Sequence, residues 1–343
     1  MLSISITVIL SGERLKIPIF RCTISVLRTL IVHRMTALKK LTLIKALANE
    51  LARLPQPVIT SYQLGRLIFN AYLANSIGGE SLSLKKNIPD KKQYNDALRA
   101  LLDAGVLSKV SGLSGNFFKV LGKSDVSPDE IICSIDPFCY ISHLSAMEYH
   151  GITDRLPRTI FVSSPPSPDW KEYSIELMKK DMKDQYALYI EKGFPQLTRP
   201  RPKKIAGKLI EFKSSSHMGA YKNVQGRALR VATIGRTFLD MLRNPELCGG
   251  IQHVMDVYKE YAKQYLRFIL DEIDMHGNGI EKARAGYILE NQAGINDPRI
   301  DAWQKSVQRG GSRKLDPGTE YSSYFSERWA LSLNVPSVNS NAD

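Results

Sequence analysis

A group of basic and amide side chains lies at helical spacing between residues 87 and 121. At 100° per residue, Lys92, Asn95 and Arg99 fall on one arc of a helix, and Lys91 lies at the edge of that arc. Lysine and arginine bind phosphates, and arginine and asparagine also pair with base edges in the major groove. None of these four residues is acidic, although Asp96 and Asp103 belong to the same predicted helix. The pattern therefore indicates a helix that contacts DNA.

A second set of residues imitates the metal site of PD-ExK nucleases. Asp169 follows Pro168, and Glu211 and Lys213 alternate onto one face of a predicted strand. In such nucleases the carboxylates hold Mg²⁺ and the lysine helps to generate or orient the attacking water. Asp169 lies in a loop or helix start, however, and the motif occurs often by chance. The nuclease is an alternative; we predict no enzymatic activity, no metal and no cofactor.

Other polar residues of the C-terminal part have plainer interpretations. His143 and His150 are seven residues apart without a third ligand, so a structural role is predicted for both. Arg236 and Asp240 are four apart, which predicts an ion pair of little value on a helix surface. The basic loop Arg199–Lys204 is either a solvated loop or a surface for an acidic partner or DNA.

Capping residues fix the ends of the predicted DNA-contacting helix. Asp90 can cap its start, and Gln93 stands three residues later, where a capping-box partner is expected. Gly105 ends the helix as a C′ residue. These signals place the helix between residues 91 and 103, with Tyr94 and Leu101 on its apolar side.

The neighbouring elements complete a winged helix-turn-helix. Helix, strand, helix, helix and two strands follow one another, with predicted bounds at 36–54, 58–60, 61–76, 91–103, 106–110 and 117–121. The last two strands form a β-wing around a glycine-containing turn. We predict eight DNA-contacting residues before, on and after the helix: Lys85, Lys86, Lys91, Lys92, Asn95, Arg99, Lys109 and Lys119.

The charge distribution agrees with a DNA-binding N-terminal third. Residues 1–124 hold 18 Lys and Arg against 6 Asp and Glu, whereas the rest of the chain holds 29 against 28. An excess confined to one part of the chain indicates where a polyanion binds. The four cysteines show no metal-ligand spacing, which predicts free thiols in a reducing cytoplasm.

Composition also divides the chain. No stretch reaches the ~20 apolar residues that span a bilayer, and the N-terminal segment lacks the features of a signal peptide. The predicted organisation is a doubtful leader or upstream extension, a winged helix-turn-helix, a larger mixed α/β domain and a tail, at 1–34, 35–124, 125–320 and 321–343. The fold class is therefore predicted as α+β.

Two stretches of the C-terminal part resemble the AbiEi-type antitoxins of type IV, abortive-infection toxin–antitoxin systems. They are YISHLSAMEYHGITDRLPRTIFVSSP (Tyr140–Pro165) and LRVATIGRTFLDMLRNPELCGGI (Leu229–Ile251). The N-terminal stretch ending in ALRALLDAGVLSKV is also similar to what such antitoxins carry. The similarity covers roughly residues 36–304, and the order of these motifs in one chain is its strongest feature.

The resemblance implies two activities. The chain would neutralise a nucleotidyltransferase-like toxin from the same operon, and it would repress that operon by binding inverted repeats in the promoter, with possible self-association on DNA. Because Arg236 and Asp240 fall in a resembling stretch, their helix is a candidate for toxin neutralisation. A transcription factor with a ligand-sensing C-terminal domain and no toxin is a further alternative.

Overall fold

The computed structural model describes residues 5–10, 13–18, 40–110, 113, 116–123, 126–216, 220–306 and 313–339. They form helices and several sheets, so the α+β class is confirmed. Most of the predicted leader, most of the wing turn and the last four residues lie outside these ranges. No helix within them is both long and apolar enough to cross a bilayer.

The N-terminal elements follow the predicted order closely. β1 and β2 pair as an antiparallel hairpin, and β3, β7 and β6 form a second antiparallel sheet in that order. Between the second and third helices lies a short pair of two-residue strands. The elements are β1 (Ser5–Leu10), β2 (Glu13–Pro18), α1 (Leu43–Arg53), β3 (Val58–Thr60), α2 (Ser61–Ala74), β4 (Ser76–Ile77), β5 (Glu80–Ser81), α3 (Lys91–Asp103), β6 (Leu107–Lys109) and β7 (Phe117–Val120).

Both faces of the β3–β7–β6 sheet are packed. Ile59 and Phe118 share a core with the apolar sides of α1, α2 and α3. Val58 and Phe117 face the other way and pack against Ile132 of the next helix, α4 (Pro128–Ile135). The alternation of side chains along each strand therefore joins this sheet to two separate cores.

The middle of the chain forms a mixed six-stranded sheet of order β10-β11-β9-β8-β13-β12. β9 runs parallel to β11 and antiparallel to β8, and β8 runs parallel to β13. The elements are β8 (Tyr140–Ile141), α5 (His143–His150), β9 (Thr159–Ser164), α6 (Ser167–Met182), α7 (Tyr186–Glu191), β10 (Lys204–Ile205), β11 (Lys208–Ser214), β12 (Tyr221–Asn223) and β13 (Arg230–Ala232).

A helical layer completes the C-terminal part. Its core surrounds Phe238, Tyr258 and the fully buried Trp329. Gly286 lies against the Trp329 ring, where a Cβ atom would come within 2.1 Å of the ring, so only glycine fits. The elements are α8 (Ile234–Arg243), α9 (Ile251–His276), α10 (Gly279–Asn291), α11 (Pro298–Trp303), β14 (Phe325–Ser326), β15 (Leu331–Ser332) and α12 (Pro336–Asn339).

One aromatic cluster crosses the predicted boundary at residue 124. Phe194, which follows α7, packs edge-on against Phe69 of α2 at 5.2 Å and Tyr94 of α3 at 6.2 Å between ring centroids. Tyr189 of α7 packs against Phe69 at 5.1 Å. Gly65 leaves space for this contact, since a Cβ there would lie 2.7 Å from the Tyr189 hydroxyl. The boundary stays a prediction, and the helices on its two sides share one core.

The cap of α3 provides a stability prediction. The Asp90 carboxylate accepts a hydrogen bond from the Lys92 N–H at 2.8 Å, and the Gln93 side chain accepts one from the Asp90 N–H at 3.0 Å. We expect Asp90→Ala to lower the melting temperature by about 1–3 °C, because helix N–H groups lose their acceptor. Asp90→Asn, which also caps, should melt close to the wild type; equal losses from both would show that the cap is unimportant.

The pH dependence of this cap has a defined sign. The Lys92 N–H and the Lys86 ammonium hold the pKa of Asp90 below its ordinary value. A carboxyl group with a lower pKa in the folded state stabilises that state above its unfolded pKa, and the contribution disappears as pH falls through the folded pKa. The melting temperatures of wild type and Asp90→Ala should therefore converge in acid.

Candidate functional site

The outer face of α3 is exposed and carries basic and amide side chains together with the exposed acids Asp96 and Asp103. Tyr94, Ala97 and Leu101 are buried under the helix, whereas the predicted contacts point outward. The 13-residue helix is thus amphipathic in the predicted orientation. The exposed residues with predicted contacts are Lys91, Lys92, Asn95 and Arg99.

Lys85 and Lys86 are also exposed, just before α3. The Lys86 ammonium lies 3.3 Å from a carboxylate oxygen of Asp90, so the acid of the helix cap offsets part of its charge. Both lysines line a groove of about 430 Å³, together with Asp96 of α3 and residues of α1 and α2. Lys85 therefore presents the less compensated charge of the two.

The wing lysines lie on opposite faces of their ribbon. Lys109 pairs with Phe118 across the strands, and Lys119 pairs with Ser108 and Val58. Directly opposed residues share a face, so Lys109 points to the side of α3 and Lys119 to the side of α4. Both side chains are exposed. The sequence spacing did not reveal this separation, because it depends on the strand register.

The segment between α7 and β10, residues 192–203, passes beside the elements that are predicted to contact DNA. It carries four basic residues and no acid. At its start, the carbonyl of Lys192 accepts a hydrogen bond from the Lys91 N–H at 3.1 Å, at the first turn of α3. Further along, Arg199, Arg201 and their neighbours form a groove of about 380 Å³ with Asn116 and Phe117 of the wing. The basic loop predicted at 199–204 thus adjoins the wing.

Arg199 attaches this segment to the six-stranded sheet. Its guanidinium donates to the Ser164 hydroxyl at 3.2 Å, the Ser167 hydroxyl at 2.8 Å and the Pro165 carbonyl at 2.5 Å. Arg201 stacks over the Phe212 ring at 5.4 Å. The basic loop is therefore held against the end of β9 and the start of α6, and Lys203 remains exposed.

Arg236 and Asp240 form the predicted ion pair, but it is buried. The guanidinium Nε lies 2.7 Å from Asp240 Oδ1, and the two side chains are only 4% and 2% exposed. The expected position on a helix surface is therefore wrong, because both sides of α8 are covered by neighbouring elements. Breaking such a buried pair by removing one partner costs roughly 3–5 kcal/mol. Direct contact of these two side chains with a protein surface is blocked by their burial.

The buried pair borders a polar cavity of about 300 Å³. His143 from the start of α5 lines it, and its Nδ1 lies 2.8 Å from the Ser142 hydroxyl. Burial lowers the pKa of His143, and the opposing effects of Asp240 and Asn244 do not offset it, so the imidazole is neutral at neutral pH. Lys213 from the end of β11 and Arg243 from the end of α8 also line the cavity.

The nuclease-like residues are not gathered around this cavity. Lys213 lines it, whereas neither Asp169 nor Glu211 does. Asp169 lies in the first turn of α6, and Glu211 is exposed on β11. Within the parts of the chain that the structure describes, no three His, Cys, Asp or Glu side chains are placed to hold a metal ion.

The remaining candidate residues have structural partners. His150 lies with its Nε2 2.8 Å from the carbonyl of Ala232, apart from the buried His143. Cys133, Cys139 and Cys248 are free thiols, as predicted, and all three are buried, whereas Cys22 lies outside the described residues.

Comparisons with known proteins assign no family. No family model matches the chain, and no curated protein matches it. Among solved structures, the chain is similar to the crystal structure of the RV2827C protein from Mycobacterium tuberculosis. The identity is 12%, the match covers 84% of this chain and 89% of that one, and the TM-score is 0.44. A similarity of this extent carries no functional assignment.

Proposed function

We propose that this protein represses its own operon through an N-terminal winged helix and acts as the antitoxin of an AbiEi-type system. The observation that carries the DNA-binding half is the capped helix α3, whose outward face presents Lys91, Lys92, Asn95 and Arg99. The helices α1, α2 and α3 pack on one face of the β3–β7–β6 sheet. This is the arrangement in which a recognition helix enters the major groove.

The position of the wing supports contact with the phosphate backbone. A ribbon that enters the minor groove edge-on has one backbone on each side. Lys109 and Lys119, on opposite faces, can then each bind a different strand. Arg201 and Lys203 are exposed, line a groove together with Asn116 and Phe117 of the wing, and add to its basic surface. DNA contact thus involves both the wing and the segment between α7 and β10.

A salt titration tests the wing. We expect Lys109→Ala and Lys119→Ala each to lower the slope of log K against log salt by roughly 0.9, because each removes one phosphate contact and its counterion release. Affinity for the promoter and for random DNA should fall alike. If only one variant changes the slope, the ribbon lies flat on DNA with one face toward it. If neither variant changes the slope, the wing does not contact the phosphate backbone.

The antitoxin half rests on the sequence resemblance. The two resembling stretches are adjacent in space, since β8 pairs with β13 and α5 packs against α8. Residues from both line the polar cavity, among them His143 and Arg236. The resembling residues form one continuous region, and this adjacency supports the proposal that toxin neutralisation resides there.

Co-expression tests the antitoxin. The full chain should restore growth of cells that express the nucleotidyltransferase-like toxin of the same operon, and it should silence a reporter placed behind the promoter. Charge reversal on α3, Lys92→Glu with Arg99→Glu, should abolish silencing and leave protection intact. If the full-length protein is soluble and binds DNA but does not protect the cells, the proposed antitoxin activity is contradicted. Only the proposed repressor activity then remains.

A further inference from the structure

We propose that the cavity between β9, β11 and α8 binds a small phosphorylated compound, through Lys213, the serines that follow it and Asp240. This site is separate from the DNA-contacting surface and does not depend on its role. It lies where two parallel strands, β9 and β11, end, which is where open α/β sheets bind small ligands. Its volume of about 300 Å³ is at the lower end of small-molecule sites.

The charges of the cavity favour an anion. Asp240 is paired with Arg236 at 2.7 Å, and Glu281 with Arg243 at 2.8 Å, so both acids are already compensated. The ammonium of Lys213 forms no hydrogen bond or ion pair with any residue that the structure describes. Among the described residues that line the cavity, three basic side chains therefore stand against two carboxylates, which leaves an excess of one positive charge.

The donors at the end of β11 suit a phosphate group. Ser214, Ser215 and Ser216 follow Lys213 directly and line the cavity with it. Hydroxyl donors next to an ammonium are typical partners of phosphate oxygens, and a bond between charged partners is about twice as strong as a neutral one. The Ser215 hydroxyl already accepts a hydrogen bond from the Arg236 guanidinium at 3.1 Å, whereas Ser214 and Ser216 are exposed.

Asp240 provides the second observation. Its Oδ2 atom is buried and has no hydrogen-bond partner among the described residues, although a buried acceptor normally has one. Because this oxygen is almost inaccessible to solvent, an O–H or N–H group on the ligand reaches it only when the neighbouring side chains move. His143 beside it has φ of +51°, a left-handed conformation that is strained for a side chain other than glycine. The site therefore fits a ligand that has an anionic group at one end and a hydrogen-bond donor at the other.

Isothermal titration with defined probes tests the proposal. Glycerol 3-phosphate carries a phosphate and two hydroxyl donors, and inorganic phosphate carries the anion alone. We expect both to bind the full-length protein and glycerol itself not to bind. Tighter binding of glycerol 3-phosphate identifies a monoester as the occupant, whereas equal binding identifies free phosphate. Tighter binding of glycerate than of either would overturn the phosphate assignment.

Two lysines of the same strand provide the matched variants. Lys213→Ala should weaken binding of the phosphate probes about tenfold or more, as expected for the loss of one hydrogen bond to a charged group. Lys208→Ala, on β11 but outside the cavity, should leave it unchanged, and thermal unfolding shows that both variants are folded. No saturable binding at millimolar concentrations, or equal binding by Lys213→Ala, refutes the site.

Discussion

We expect Arg99→Ala and Asn95→Ala to weaken binding to the promoter by about 1–3 kcal/mol each and to reduce the preference for promoter over random DNA. The two side chains are one turn apart on the exposed face of α3. At the first turn of α3, the backbone N–H of Lys91 donates to the carbonyl of Lys192, so this N–H is not available to a phosphate. Asn95 and Arg99 lie on the middle turns, where we expect the base contacts.

Gel-shift titration with promoter and random DNA measures this effect. Arg267→Ala is the matched control, since Arg267 is 88% exposed on α9 and far along the chain from α3. It should bind both DNAs as the wild type does. Equal losses on promoter and random DNA would assign Arg99 and Asn95 to phosphates rather than bases.

The second large effect is expected from Phe194→Ala. Phe194 is 3% exposed and contacts Phe69, Tyr94 and Tyr189. Removal of a buried phenylalanine ring costs about 3–5 kcal/mol, through lost burial and the cavity that remains. Because Tyr94 belongs to α3, DNA binding should weaken as well, although Phe194 lies outside the predicted DNA-binding domain.

Chemical denaturation and gel shift together check this coupling. Phe268→Ala removes an equally large ring that is 56% exposed on α9, so it should change the unfolding free energy by less than about 0.5 kcal/mol. If Phe194→Ala were as stable as Phe268→Ala, the aromatic cluster would contribute little. Loss of stability with unchanged DNA binding would show that α3 keeps its position without α7.

Local signals predicted α3 well. Asp90, Gln93 and Gly105 act within a few residues, and the structure has the predicted capping box and a left-handed Gly105. The same kind of signal marks the start of α4, where Ser127 and Glu130 form a capping box with Pro128 at the first helical position. Local hydrogen bonding determines these boundaries, so sequence alone is sufficient to find them.

Contacts between distant residues could not be predicted in this way. The spacing of Arg236 and Asp240 predicts an ion pair but says nothing about the elements that cover it. The cavity combines residues from β11, α5 and α8, which no periodicity brings together. The position of Phe194 against α2 and α3 likewise depends on the path of the chain after α7.

The aromatic cluster also constrains how this protein can evolve. Recombination that exchanged residues 40–123 for another DNA-binding unit would separate Phe69 and Tyr94 from Phe194, and Val58 from Ile132. A crossover later in the chain would instead divide β9 from β11. Exchange of whole units is therefore costly at either place. New DNA specificity should therefore arise by point substitutions on the exposed face of α3, while the rest of the protein is inherited without exchange of segments.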